Sequence, residues 1–199
     1  MTNTNKEGED KKKSVHERIV KTATRLFYEQ GVLNTGVNQI ISESNVAKAS
    51  FYQHFPSKND LVKECIMRYD RYLTGVLASH ITSSQSYPEF MKKWVNQLKN
   101  DTKMKYRGCP IAEAAFQLDA TNGEMHELIR TIIENWYNIL RDFFERMKKK
   151  GEIGETMDCG ILAQRVLHLH EGAMIMWRLT NDDKYFDDLE SFMSEVLKF

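Results

Sequence analysis

Three groups of side chains in this sequence carry chemistry worth placing. The densest is the run ASFYQHFPSKNDL, Ala49 to Leu61, where Tyr52, Gln53, His54 and Lys58 set four hydrogen-bonding groups close together, with Lys48 just ahead of them. On a helix, Phe51 and Phe55 share one edge, while Ala49, Ser50 and Gln53 take the opposite face and Tyr52 and His54 the flanks. Small residues let a backbone approach base edges, a glutamine amide can pair with adenine, and flanking donors can reach the two phosphate walls. This pattern suits a helix lying in a DNA major groove. The plainer alternative for Tyr52 and His54 is the ordinary surface of a helical hairpin.

The second group is Cys109 in RGCPIAE. Pro110 suits the first position of a helix, which puts Cys109 at its N-cap. Helix amides and nearby Arg107 would favour a thiolate there, and so a sensor of electrophiles or oxidants. An inert, pocket-lining thiol is the competing reading. The third group is His168 and His170. Two residues apart on a helix they point about 200° from each other, so they cannot chelate one ion. His168 reads instead as a pocket or interface histidine. No glycine-rich phosphate loop, nucleophile elbow or paired metal motif is present, so no catalytic residue, metal or cofactor is expected. A helical enzyme acting on an apolar substrate is the competing class, and a purely architectural DNA-binding protein a third.

Helical spacing dominates the 199 residues, and the alternation of strands is missing. The expectation is an all-α chain of about nine helices. The first runs from Ser14 to Gln30 with Val15, Ile19, Ala23, Leu26 and Phe27 inward and Gly31 as its stop. Thr35 can cap a short second helix carrying Val37, Ile40 and Ile41, and Asn45 can take the left-handed turn before a third, Ala47 to Phe55. Pro56 excludes Phe55 from the helical region. A fourth, linking helix occupies about 57–78, opened by Ser57 and Asp60 as a capping-box variant, with Lys58 in its first turn. HITSSQSYP, His80 to Pro88, reads as a linker. Five more helices follow: about Pro88–Asn100, one from Cys109 to before Asn122, Glu124–Lys150, Asp158–Leu179 and Asp183–Phe199.

Composition sets the context. The formal net charge is zero, yet Lys11–His80 holds eleven Lys/Arg against six Asp/Glu, and Ile81–Phe199 holds sixteen against nineteen. A basic front and an acidic back suit an anionic partner for the front only. Three widely spaced cysteines without a Cys-x-x-Cys pair fit a reducing, cytoplasmic setting. No apolar run reaches the ~18 residues of a membrane span. MTNTNKEGEDKKK lacks the core of a signal peptide and reads as a disordered basic tail, residues 1–13.

These residues also resemble a known family. VAKASFYQHFPSKNDL looks like the recognition helix and following helix start of TetR/AcrR-type transcriptional regulators, and GVLNTGVNQII like the entry to their second helix. YRGCP and LHLHEGA extend the likeness more loosely. The resemblance implies a three-helix helix-turn-helix domain over 14–60 and a larger helical ligand-binding and dimerisation domain over 61–199. It implies phosphate contacts by Thr35, Lys48, Tyr52, His54 and Lys58, with Ala49, Ser50 and Gln53 facing bases. It further implies a homodimer on palindromic, double-stranded operator DNA, released by a small apolar or aromatic effector. The effector pocket would draw on Trp94, Cys109, Phe116, Trp136, Tyr137, Leu140, His168 and Trp177. The sequence departs from the family's habit at Asn45 and Ala49, where glycine is common, and at Ala47, where a capping serine is common.

Overall fold

The computed structural model of the protein describes residues 14–118 and 122–189, and all regular structure among them is α-helical. The expected tail over 1–13 and the C-terminal part of the expected last helix lie outside the described residues.

Helix α1 (Val15–Gln30) starts where the sequence places it. The Ser14 hydroxyl accepts from the Glu17 amide at 3.1 Å, and Gly31 ends the helix at φ +89°. Ile19, Val20, Ala23, Leu26 and Phe27 are buried. Helix α2 (Val37–Ser44) and helix α3 (Lys48–His54) pack on this face, joined by Asn45 at φ +52°. The Arg18 guanidinium donates to the Asn45 carbonyl at 3.0 Å and fixes the turn. Ile40 and Phe51 are fully buried and Phe55 nearly so. Full burial is worth roughly 1.5–3 kcal/mol for a side chain of this size, so the short α3 is held by packing and not by its own propensity.

Helix α4 (Lys58–Ser83) has 26 residues and is about 39 Å long at 1.5 Å per residue. Its start is a full capping box. Ser57 Oγ accepts from the Asp60 amide at 3.2 Å, and the Asp60 carboxylate accepts from the Ser57 amide at 3.0 Å. Leu61, Val62, Cys65 and Ile66 are buried near its start, and further along the Tyr69 hydroxyl donates to the α1 carbonyl of Thr24 at 3.1 Å. The helix continues through His80 and Ile81, so most of the linker expected over His80–Pro88 is helical. The break is only residues 84–86. Helix α5 (Tyr87–Asn100) then begins, capped by Ser86, whose hydroxyl accepts from the Glu89 amide.

Helix α6 (Thr102–Arg107) was not expected from the sequence. Asp101 caps it by accepting from the Met104 amide at 3.0 Å. Helix α7 (Pro110–Phe116) is shorter than expected and α8 (Gly123–Lys149) is the longest. Helix α9 (Cys159–Thr180) is capped by Asp158, which accepts from the Gly160 and Ile161 amides. Residues 184–189 are helical again. Tyr87, Phe90, Phe143 and Phe144 interlock at the centre of this second unit, with ring centroids 4.7–5.6 Å apart.

Side chains from α6 and from the C-cap of α7 finish the end of α1. Arg107 donates to the carbonyls of Tyr28 (3.2 Å) and Glu29, two acceptors left open in the last turn of α1, which has no basic residue of its own there. The Tyr28 hydroxyl donates to Gly108 at 2.9 Å. The Gln117 amide oxygen accepts from the Val32 amide at 2.6 Å. It lies so close to Gly31 that an added Cβ would sit 2.6 Å from it and push the Gln117 amide aside, while φ itself demands glycine there.

Candidate nucleic-acid interface and cavity

Helix α3 presents its polar face to solvent because Phe51 and Phe55 anchor the other. Lys48, Ala49, Tyr52, Gln53 and His54 are exposed, and Ser50 and Lys58 are half-buried. Tyr52 packs its ring edge-on against Phe51, at 5.3 Å between centroids. His54 leans on His16 of α1 at 5.8 Å. Ala47 makes no side-chain cap, so the first amides of α3 are free of one. Partial burial pulls the Lys58 ammonium below its ordinary pKa. Thr35 departs from expectation. Gly36, not Thr35, is the N-cap of α2. Thr35 is 1% exposed, and its hydroxyl donates to the Gly31 carbonyl at 2.7 Å while accepting from Gln30. A side chain so enclosed cannot meet a phosphate. Its work is to close the α1–α2 loop.

The second unit contains a cavity of about 70 Å³. Helix α4 supplies Tyr72, Leu73, Val76, Leu77 and His80; α5 supplies Trp94, Gln97 and Leu98; α6 supplies Met104; α8 supplies Trp136 and Leu140; α9 supplies Leu167 and His170. Cys109, at the cap of α7, completes the wall. The lining is apolar and aromatic with a few polar groups, and no lining residue carries a permanent charge. The Trp136 indole donates to Asp70 at 3.1 Å and to Thr74 at 2.9 Å, both on α4. Trp94 stacks on His170 at 5.2 Å.

Two family descriptions match this chain: bacterial regulatory proteins of the tetR family over residues 19–65, and the tetracyclin repressor-like C-terminal domain over residues 88–193. This chain belongs to the TetR family of transcriptional regulators. It is thus a DNA-binding regulator and not an enzyme. The uncharacterized HTH-type transcriptional regulator YxaF of Bacillus subtilis is 28% identical over 173 residues, 84% of this chain and 86% of that protein. The HTH-type regulator LmrA of the same organism is 27% identical over 138 residues, 68% of this chain and 72% of its own. A TetR-family regulator from Cytophaga hutchinsonii shares the fold at TM-score 0.82 with 18% identity, covering 92% of each chain.

Four of the pocket residues expected for this TetR-family regulator line the cavity: Trp94, Cys109, Trp136 and Leu140. Four do not. Phe116 is 71% exposed at the end of α7. Tyr137 turns toward the start of α9, where its hydroxyl fills the space beside Gly160. Trp177 donates to Asp183 at 2.6 Å and lies under the Lys105 ammonium. His168 is on the exposed face of α9, and His170, on the opposite face, is the cavity residue. Read from sequence, His80 falls in a linker, and Tyr72, inside the expected helix, lies beside its apolar stripe; both line the cavity. The reactive-thiol reading of Cys109 is also corrected. The thiol is 2% exposed, and burial together with the Glu171 carboxylate pushes its pKa well up, overriding the helix amides. Among the described residues no group of three metal-ligating side chains occurs, and no helix is long and apolar enough to cross a membrane.

Proposed function

We propose that this TetR-family regulator is a repressor that binds a palindromic operator as a homodimer and is released when a small apolar or aromatic molecule enters the cavity between α4, α5, α8 and α9. The observation that carries the reading is the shared use of α4. It opens at Lys58, just past the end of α3, and five residues of its second half line the cavity. A dry cavity of ~150 Å³ accepts benzene, so one of about 70 Å³ must widen to take even a single ring. Widening presses on α4, and the Trp136 bonds to Asp70 and Thr74 carry displacement of α8 to the same helix. Shifting α4 moves the recognition helix of each protomer off groove spacing.

Dimer formation is supported by α9, which exposes Ile161, Ile175, Met176 and Leu179 along with an open Gly172 where another helix can approach. Phosphate contacts fall to Lys48, Tyr52, His54 and Lys58, and base contacts to Ala49, Ser50 and Gln53. Operator binding places its work in the cytoplasm.

The test is footprinting on the DNA around its own gene, with and without aromatic ligands. Lys58→Ala should weaken binding to every sequence and lower the salt slope by about one unit. Gln53→Ala should relax preference at one base pair, by ~1–3 kcal/mol. Binding unchanged by both substitutions would remove α3 as the reading helix.

A further inference from the structure

Two imidazoles set the polar character of the cavity. His80 and His170 both line it, and each has a buried ring nitrogen, Nε2 of His80 and Nδ1 of His170, with no hydrogen-bond partner among the described residues. An unpaired buried polar atom is costly; neither nitrogen has accessible surface while the cavity is this small, so each gains a partner only as the wall parts to admit a ligand group. His170 is the better defined of the two. Trp94 stacks on its ring with an interplanar angle of 18°, which fixes the plane and leaves the nitrogen edge to make polar contact. Its Nε2 lies 3.9 Å from the Glu171 carboxylate. A carboxylate on that side favours the tautomer with the proton on Nε2, so Nδ1 is left as an acceptor. Burial also holds both imidazoles neutral, by lowering their pKa; Lys93 adds to this at His80.

The rest of the lining narrows the ligand further. No Asp, Glu, Lys or Arg lines the cavity, so neither an organic cation nor a carboxylate would find a counter-charge. Tyr72, Trp94 and Trp136 supply flat aromatic walls.

We propose that the effector is a neutral, ring-bearing molecule with a hydroxyl or similar donor group, that this donor is received by Nδ1 of His170, and that His80 makes the second polar contact. This rests on the cavity being the effector site. The chemical class is a phenol-like compound, distinguished from a plain hydrocarbon, an aryl ether, an aryl carboxylate or an aromatic cation.

The experiment is calorimetric titration of the full chain with phenol, toluene, anisole, benzoate and benzyltrimethylammonium. Phenol should bind at least tenfold tighter than anisole, although anisole is the more apolar and buried area alone predicts the reverse order. Benzoate and the cation should bind worse than phenol. In His170→Leu the ratio of phenol to toluene affinity should fall at least fivefold, and in His80→Leu by a smaller factor. The phenol–anisole comparison needs only the unaltered protein, so it stands if a variant misfolds. Anisole equal to phenol, a charged probe binding best, an unchanged ratio in a folded His170→Leu, or no binding by any probe would each overturn the proposal. Operator affinity measured in parallel without probe judges the DNA-binding reading separately.

Discussion

Replacing Trp136 with Phe tests the link between the cavity wall and α4. The indole N–H is shared between Asp70 and Thr74, and the Thr74 hydroxyl donates to the same Asp70 oxygen at 2.9 Å. Phenylalanine keeps a ring against Leu140 and the α4 side chains but has no donor. A half-buried hydrogen bond to a charged group is worth about 1.5–3 kcal/mol, and the smaller ring forfeits some packing. The expected loss is about 3 kcal/mol, which for a chain of this size lowers Tm by roughly 9 °C. Urea unfolding followed by circular dichroism gives the midpoint and slope. Thr74→Val, alone and combined with Trp136→Phe, closes a double-mutant cycle. Because indole and hydroxyl share one acceptor network, the two losses should fail to add by about 0.5–1.5 kcal/mol. Additivity within ~0.3 kcal/mol, or a Trp136→Phe variant as stable as the parent, would refute the strut between α8 and α4 and the route by which the cavity is argued to reach DNA.

Thr35→Val should cost about 1–2 kcal/mol of stability by removing the hydroxyl that donates to Gly31, yet leave DNA affinity at fixed salt unchanged; a uniform loss of affinity over all DNA sequences would restore Thr35 as a phosphate contact. Native protein treated with an alkylating agent at pH 7.5 should label Cys109 at least ~10-fold more slowly than a free small thiol, with labelling released on unfolding in urea; fast native labelling would reinstate the thiolate. Stability should fall as pH drops below about 6.5, since His80 and His170 have folded pKa values below the ordinary imidazole value and the unfolded chain therefore takes up protons first. Above that pH their contribution is complete, and His170→Leu should flatten the dependence measured by denaturant titrations between pH 5 and 7.

The three-helix front was legible because local signals agreed there. Ser14, Gly31, Asn45, Pro56 and Ser57 each act within a few residues of themselves, and each does in the fold what its type suggests. The back half failed where the deciding information is not local. The end of α4 was missed through weighting the polar run over the periodicity, since Leu73, Leu77 and Ile81 continue a four-residue spacing and Ser86 with Pro88 and Glu89 announces the next helix. The choice between His168 and His170 could not be made from spacing. Helix α9 is apolar on both faces, with Leu162, Val166 and Met174 inside and Ile161, Ile175 and Leu179 outside, so its inward side carries no signature. Of the bulky residues expected at the pocket, Phe116 and Trp177 find other places because tertiary packing, not bulk, selects the wall.

Arg107 and Gln117 bear on how separable the two halves are. The carbonyl end of α1 is completed by a guanidinium from α6, and the turn after it by the amide of Gln117, the residue that ends α7. The front unit therefore ends on borrowed parts. A chimera that grafts these first residues onto a different TetR-family body inherits an α1 with two unanswered carbonyls and a Val32 amide without an acceptor, unless the recipient offers an arginine and a glutamine at the same places. Compatibility between heads and bodies in this family is then a matter of matching two side chains at a seam, as much as of continuing α4 in register.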